Sequence, residues 1–288
     1  MSSGFPFLKG HGTENDFVLL PDADGSVHGD LDPALVARLC DRRAGLGADG
    51  VLRVVRSEAC ADPQAVAARG SAAWFMDYRN ADGSTSEMCG NGIRVFARYL
   101  VEHEGVDPAS PIKVGTRAGV LTVSAEPGGE AFTVDMGEPR LLGETKVAVG
   151  PVAWPAAHVS MGNPHAVAFV DSLAPGGDVG RLLDPPTHDP AVYPDGVNVE
   201  FVVRRGPQHV AMRVHERGSG ETRSCGTGAC AAMVVSALAD GAPRNTPYRV
   251  DVPGGTLHVT WTRPESGGRV LMTGPAVLVA LGNWTGAA

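Results

Sequence analysis

Two short turns with the pattern Cys-Gly-x-Gly constrain this chain more than any other feature. They occupy residues 89–92 and 225–228, 136 positions apart, and each is followed at once by an apolar stretch long enough to form a helix. The start of a helix carries unpaired N–H groups and the positive end of the helix dipole, which favour a thiolate and can also hold a carboxylate. We therefore expect two similar sites, each built around one cysteine at the start of a helix.

Other landmarks repeat in the same order around these turns. A polar residue precedes each cysteine by nine positions, Asn80 in the first half and Glu216 in the second, and each follows a strand-like run. Further upstream, Asp-Gly-Val at 49–51 opens one apolar run, and the same tripeptide at 195–197 opens another. This order predicts one structural unit used twice, with one cysteine from each half. The alternative is two unrelated glycine turns.

The predicted fold class is α+β, with two pseudo-symmetric domains, each a mostly antiparallel curled sheet around a central helix. Short β-branched and aromatic runs alternate with Gly, Pro, Asn and Asp turns in both halves. The helix predicted at 229–239 is apolar on almost every side, so a sheet must surround it. Another helix is predicted at 32–45, and a last strand at 270–281 can pair with either domain.

The best boundary composition lies at 125–129. It divides the chain into an N-terminal domain, 1–126, that contains Cys89, and a C-terminal domain, 127–271, that contains Cys225. A length of 288 residues suits two domains of ordinary size.

Charge and composition argue against several classes of protein. The formal charge is −8 and no basic block occurs, so we expect no nucleic-acid partner. The sequence has no apolar run of roughly eighteen residues and no secretion signal, which predicts a cytoplasmic protein without a membrane partner. Five cysteines are too few for a secreted disulfide scaffold, so the thiols should be reduced.

Paired thiols suit one particular reaction. Inverting a stereocentre by removing and replacing a proton needs an acid and a base on opposite faces of the carbon. A thiol pKa of about 8.5 can be lowered at a helix start, which gives a base at neutral pH. Backbone N–H groups of the two turns could stabilise a substrate carboxylate as the carbanion forms beside it. They belong to Gly90, Asn91, Gly226 and Thr227.

Polar side chains cluster beside glycine turns in both halves, and the asparagines among them are Asn15, Asn80, Asn163 and Asn198. An asparagine beside glycine is most often a turn residue, but the recurrence in both halves favours substrate binding. The planar fork of Arg217 suits a carboxylate and Glu216 suits an ammonium group, although a surface salt bridge is the usual role of such a pair. His165 either tunes a thiol or packs in the interior.

Cofactor-dependent classes fit the sequence less well. The glycine pattern at 45–50 follows a helix and precedes a strand, the reverse of the dinucleotide-binding order. Pyridoxal phosphate racemases need a Schiff-base lysine, yet none of the three lysines adjoins a cysteine turn. The spacing of Cys225 and Cys230 does not suit zinc. We predict no cofactor and no metal. Two alternatives stay open: an enzyme with one cysteine nucleophile and a histidine, and a small-molecule binding protein with structural thiols.

The motifs closely resemble those of the diaminopimelate epimerase family over nearly the whole chain. They are GxxNDF at 12–17, GxGADG at 45–50, NADGS at 80–84, MCGNGIR at 88–94, GNPH at 162–165, GVNVEF at 196–201, ERGSGETRSCGTGAC at 216–230 and TGPA at 273–276.

This resemblance implies cofactor-independent interconversion of LL- and meso-diaminopimelate in lysine and peptidoglycan synthesis, with proton transfer at the α-carbon. Cys89 would donate and Cys225 would accept the proton in the LL-to-meso direction, with His165 and Glu216 tuning the thiols. The residues that it places on the substrate are Asn15, Asn80, Asn163, Asn198, Glu216 and Arg217, with backbone amides from Gly90, Asn91, Gly226 and Thr227. It also implies a homodimer and a segment, 272–288, that returns to the first domain. A related cofactor-independent amino-acid racemase or isomerase of the same fold is the alternative.

Two departures from the family pattern stand out. Many members carry glutamine where this chain has Gly50, so one substrate contact must come from elsewhere. The segment 57–71 is longer than is typical, and we predict a surface loop there.

Overall fold

The computed structural model describes residues 4–266 and 268–286. The chain divides into two compact units. The N-terminal unit comprises residues 1–134 and 275–288, and the C-terminal unit comprises residues 135–274.

Strands outnumber helices along the whole chain. The first part contains β1 (Phe5–Gly12), β2 (Asn15–Pro21), α1 (Pro33–Cys40), β3 (Gly50–Arg56), α2 (Pro63–Ala68), β4 (Trp74–Asn80), α3 (Gly90–His103), β5 (Ile112–Thr116), β6 (Gly119–Ala125) and β7 (Ala131–Asp135). The second part contains β8 (Arg140–Val149), β9 (Val152–Ser160), β10 (Pro164–Phe169), β11 (Thr187–His188), β12 (Asn198–Gly206), β13 (His209–Glu216), β14 (Gly220–Thr222), α4 (Gly226–Ala239), β15 (Pro247–Val252), β16 (Gly255–Trp261) and β17 (Val270–Pro275). The last strand is β18 (Val277–Trp284). Short 3-10 turns lie at Ser57–Ala59 and Pro264–Ser266.

The two units share one strand connectivity. In the N-terminal unit β1 is antiparallel to β2, β2 is parallel to β3, β3 is antiparallel to β4, β4 is parallel to β5, and β6 is antiparallel to β5 and β7. In the C-terminal unit the same sequence of pairings joins β9, β10, β12, β13, β15, β16 and β17. The α+β class with two pseudo-symmetric, mostly antiparallel halves is thereby confirmed.

Each sheet curls around one fourteen-residue helix. Helix α3 contacts β1, β2, β3, β5, β6 and β18, and α4 contacts β9, β10, β12, β13, β15 and β16. Eleven of the fourteen α4 residues are buried, which agrees with the predicted absence of a polar face. These two helices begin directly after the two cysteines, so each thiol lies at the N-terminus of the central helix of its own unit.

The register establishes which residues are equivalent in the two units. Phe17 of β2 pairs with Gly50 of β3, and His165 of β10 pairs with Asn198 of β12. Leu52 pairs with Tyr78 of β4 and Glu200 pairs with Val214 of β13, and both partners lie eleven residues before the cysteine of their unit, so Leu52 and Glu200 are equivalent. The tripeptides Asp-Gly-Val at 49–51 and 195–197, predicted as matching landmarks, are therefore offset by two positions.

Three predicted elements differ from those observed. The segment 57–71 is not a surface loop, because it holds α2, which begins at Pro63 behind the cap residue Asp62. Ala65 of this helix packs in a core cluster with Cys60, Val55 and Phe75. Small alanines let this short helix lie close to the sheet, which the sequence pattern did not reveal.

The helix predicted at 32–45 begins at Pro33 behind the Asp32 cap, as expected, but ends at Cys40 because Asp41 is extended. The strand predicted at 270–281 is two strands, since Ala276 lies outside the ladders: β17 pairs with β16, and β18 pairs with β1. None of the helices within the described residues is long and apolar enough to span a membrane.

Candidate active site

Cys89 is the N-cap residue of α3. Its backbone is extended, and its sulfur accepts a hydrogen bond from the N–H of Gly92 at 3.4 Å. The thiol lies 3.5 Å from Oδ1 of Asn15, to which it can donate. Cys89 is half-buried.

Asn15 joins the loop after β1 to the start of α3. Its Oδ1 accepts from Nδ2 of Asn91 at 3.1 Å, and its own Nδ2 donates to Asp49 at 2.7 Å. Asn91 is 1% exposed, and Gly90 beside it is also buried. Of the residues predicted in the N-terminal half, Cys89, Asn15, Gly90 and Asn91 are thus brought together.

Asn80 has a different set of contacts. It ends β4, and its side chain donates to the hydroxyl of Ser84 at 3.0 Å while its backbone N–H donates to the Ser84 carbonyl at 2.9 Å. These contacts close the turn that precedes Cys89. Neither of these two hydrogen bonds reaches Asn15 or Cys89.

Arg94 is a member of the N-terminal cluster that residue-by-residue analysis of the sequence missed. Its side chain is fully buried, and its guanidinium donates to the Gly90 carbonyl at 3.2 Å and to Asn91 Oδ1 at 3.0 Å. A further bond goes to the Thr13 hydroxyl at 3.4 Å. The signal was an arginine among the apolar residues of the helix, where a buried cation must be paired.

Cys225 repeats the arrangement of Cys89 at the start of α4. It is the N-cap residue, and its sulfur accepts from the N–H of Gly228 at 3.4 Å, the same distance as in the first unit. Its thiol also lies 3.5 Å from the Thr227 hydroxyl. In contrast to Cys89, Cys225 is buried, with 5% of its surface exposed.

A chain of polar side chains leads away from Cys225. The Thr227 hydroxyl accepts from Nδ2 of Asn163 at 3.3 Å, and Oδ1 of Asn163 is 2.9 Å from Nε2 of His165. The other ring nitrogen, Nδ1, is 2.7 Å from Oε1 of Glu200. His165 and Glu200 are both fully buried. Glu200 was also missed, although an acid inside the apolar run of β12 signals a buried partner.

The remaining predicted residues of the C-terminal half form a neighbouring group. Asn198 is 5% exposed and its Oδ1 accepts from the backbone N–H of Arg217 at 2.9 Å. The exposed Arg217 side chain donates to the Asp195 carbonyl at 3.4 Å. Glu216 accepts from the hydroxyl of Thr222.

Burial raises the pKa of the Cys225 thiol well above its usual range. The negative charges of Glu216 and Glu200 act in the same direction, and the hydrogen bonds from Thr227 and Gly228 oppose them more weakly. The helix start alone therefore does not set the pKa of Cys225. Desolvation and two carboxylates outweigh the N–H groups of one helix turn.

Gly50 of β3 lies close to the backbone of the neighbouring strand β4. A Cβ at this position would lie 2.6 Å from the Arg79 carbonyl and 2.7 Å from the Tyr78 ring. A glutamine in its place would require the strands to move apart. The described residues contain no group of three His, Cys, Asp or Glu side chains arranged to hold a metal ion.

Comparison with known sequences places the chain beside one family over almost its whole length. The sequence profile described as "Diaminopimelate epimerase" matches residues 7–142 and 157–279. A diaminopimelate epimerase of Streptomyces coelicolor is 59% identical over 100% of this chain and 98% of its own length. One from Thermobifida fusca is 51% identical over 96% and 97%, respectively.

Solved structures share the fold at low sequence identity. A phenazine biosynthesis protein of the PhzF family from Bacillus anthracis superimposes with a TM-score of 0.71 at 16% identity, covering 98% of this chain and 99% of its own. A hydroxyproline epimerase from Agrobacterium vitis gives a TM-score of 0.67 at 14% identity, covering 98% of this chain and 92% of its own.

Proposed function

The chain belongs to the diaminopimelate epimerase family, and we propose that it interconverts LL- and meso-diaminopimelate by proton transfer between Cys89 and Cys225. One observation carries the proposal. Each unit presents a cysteine as the N-cap of a fourteen-residue central helix, with the N–H of the third residue on at 3.4 Å from sulfur. An acid and a base of the same chemical type are what a reversible stereoinversion requires.

In the LL-to-meso direction, the Cys225 thiolate removes the α-proton and the Cys89 thiol returns a proton to the opposite face. The reverse direction exchanges the two roles, so each sulfur must be stable as both thiol and thiolate.

Charge that develops on the substrate carboxylate needs hydrogen-bond donors. The first turns of α3 and α4 contain the N–H groups of Gly90, Asn91, Gly226 and Thr227. The first turn of a helix offers its N–H groups no carbonyl acceptor from within the helix. The same helix dipoles favour the negative charge.

Side chains around the two thiols would orient the substrate. Asn15 bonds to Asn91 in the first turn of α3, Asn163 bonds to Thr227 in the first turn of α4, and Asn198 accepts from the backbone N–H of Arg217. Asn80 would act from its turn, with Glu216 on an ammonium group and Arg217 on a carboxylate. His165 and Glu216 would tune the thiols.

We further propose a cytoplasmic homodimer that works without a cofactor, in lysine and peptidoglycan synthesis. The 59% and 51% identical relatives support the substrate most strongly. A cofactor-independent racemase acting on another amino acid is the competing assignment. It is favoured if diaminopimelate is not turned over while another α-amino acid is.

The test is turnover of LL-diaminopimelate by Cys89→Ala and Cys225→Ala. Each variant should lose at least about 10³-fold in kcat, because each removes one of the two proton-transfer groups. Cys40→Ala is the matched control: Cys40 is buried in a core cluster, and burial raises the pKa of its thiol to about 11. Near-normal turnover by either active-site variant would refute the two-thiol scheme.

A further inference from the structure

The pseudo-symmetry of the two units fails at one buried pair of residues. In the C-terminal unit, His165 and Glu200 lie on adjacent parallel strands behind the start of α4. The equivalent positions in the N-terminal unit hold Phe17 and Leu52, which are fully buried and apolar. The Cys225 thiol therefore has a pair of titratable side chains behind it, and the Cys89 thiol has a pair of hydrocarbon side chains in the equivalent place.

The position of the pair relative to the helix is the same in both units. A Cβ at Gly92 would lie 3.3 Å from Leu52 and 3.4 Å from Phe17, while a Cβ at Gly228 would lie 2.7 Å from Oε1 of Glu200. Gly92 and Gly228 are also the residues whose N–H groups donate to Cys89 and Cys225. The carboxyl group of Glu200 thus lies against the same helix turn that contacts the Cys225 sulfur.

The hydrogen bonds of His165 and Glu200 indicate which of their atoms donate and which accept. Nε2 of His165 faces Oδ1 of Asn163, so Nε2 donates and Nδ1 is left to face Glu200. Oε2 of Glu200 is buried and has no hydrogen-bond partner among the residues that the structure describes. An unpaired carbonyl-type oxygen costs less than an unpaired carboxylate oxygen.

With its proton on Oε1 and donated to Nδ1, Glu200 would present Oε2 as the carbonyl-type oxygen. Burial raises the pKa of Glu200, the charge of Glu216 adds to that effect, and the interaction with His165 opposes it. Above this pKa the pair would hold a negative charge behind Cys225, where the carboxylate of Glu216 is already present.

We propose that Glu200 is a positioning residue that fixes the orientation of His165 and keeps a proton behind Cys225. Of the two thiols, only that of Cys225 then ionises as part of a cluster that shares protons. The inference rests on the proposed function, in which Cys225 must ionise in every turnover. Glu200 contacts the reacting sulfur only through other groups, the Gly228 turn and the chain His165, Asn163 and Thr227.

Four groups of the described residues act on Cys225 in this cluster. Glu216 of β13 and Glu200 of β12 act on Cys225 by charge, and Thr227 and Gly228 of α4 act by hydrogen bonds. Glu200 is faced by His165 of β10 and by Glu216. A change at Glu200 alone leaves the contribution of Glu216 in place.

The test is a pH titration of Cys225 in the full chain carrying Cys89→Ala. Thiolate ultraviolet absorbance is recorded as a difference from the protein carrying both Cys89→Ala and Cys225→Ala, so that tyrosine ionisation cancels. We expect a curve broader than that of one proton, because the carboxyl of Glu200 and the thiol lose protons in overlapping steps. Adding Glu200→Gln should give a one-proton curve with its midpoint lowered by about one pH unit, a tenfold larger thiolate fraction below the midpoint.

Controls separate this role from packing. Glu221→Gln changes a carboxylate of the same unit that pairs with Arg213, and it should leave the Cys225 curve unchanged. Glu200→Gln combined with Cys225→Ala should leave the titration of Cys89 unchanged. An unshifted Cys225 midpoint in the folded Glu200→Gln protein would overturn the proposal.

If that variant fails to fold, the Cys89→Ala protein still decides the question. A simple one-proton titration of its Cys225 would overturn the proposal. A curve that stays broad when Glu216→Gln is added supports it, because Glu216 also acts on Cys225 by charge. Because the readout is absorbance and not turnover, the proposed function can fail on diaminopimelate while this inference survives, and the reverse also holds.

Discussion

The two glycines that follow the cysteines show how a single residue distinguishes the halves. Gly92 and Gly228 occupy equivalent helix positions, but the former faces hydrocarbon and the latter faces a carboxyl oxygen. A flexible apolar side chain can move by a few tenths of an ångström, whereas Oε1 of Glu200 is held by His165 at 2.7 Å. The same substitution should therefore have unequal effects.

Gly228→Ala should lower kcat/KM at least tenfold, because the added methyl displaces Glu200 and shifts the turn that binds the sulfur. Small misplacements of groups in active sites cost rate factors of this order. Gly92→Ala should change kcat/KM by less than about threefold, since alanine also favours the helix by up to about 1 kcal/mol. Steady-state kinetics of the two variants checks this comparison. Equal losses would show that the two environments do not differ in the way described.

At the scale of elements, a buried ionic network stabilises the strands that support the N-terminal site. Asp77 of β4 is 2% exposed and accepts from Arg79 at 2.9 Å and from Arg117 at 2.6 Å. Burial acts to raise the pKa of Asp77, but the hydrogen bonds from the two arginines outweigh it and hold the pKa below its usual value. On β2, bonds from Arg42 and Lys9 overcome burial in the same way and lower the pKa of Asp16 to about 2.

A carboxyl whose pKa is lower in the folded state contributes stability above its unfolded pKa and loses it as pH falls through the folded pKa. The free energy of unfolding should therefore fall as pH drops from near 3.8 towards about 2. Asp77→Asn should remove about 3–5 kcal/mol at neutral pH, since it leaves buried arginines without their counter-charge, and should flatten the acid dependence. Urea unfolding at several pH values measures both, with Asp171→Asn as a surface control. An unchanged acid dependence in Asp77→Asn would contradict this account.

Elements with strong local signals were predictable from the sequence. The cysteine turns, the Asp32 cap and the fully apolar α4 follow from capping and periodicity. The helix within 57–71 was missed because its buried face is only alanine. Glu200 was missed because its partner is 35 positions away in sequence, and an acid in a strand gives no sign of which residue will face it.

For the whole molecule, the repeated landmarks predicted the architecture because both halves use the same connectivity. The order of parallel and antiparallel pairings around α3 recurs around α4. Sequence similarity between the halves is slight outside the turns, so the exact register could be assigned only from the three-dimensional structure. The replacement of Phe17 and Leu52 by His165 and Glu200 depends on that register. The duplication supplies two like thiols, and the buried pair makes them unlike.

The most direct measurement of the two-thiol claim is the position of solvent deuterium during conversion of LL-diaminopimelate in heavy water without added cofactor. The two-base scheme predicts that the first meso product carries one deuterium at the inverted α-carbon, because the returning proton comes from a thiol that has exchanged with solvent. Substrate recovered early should remain largely unlabelled, since the thiol that removes its proton faces the other side. Product that forms with its original hydrogen, or recovered substrate labelled as fast as product, would contradict the account.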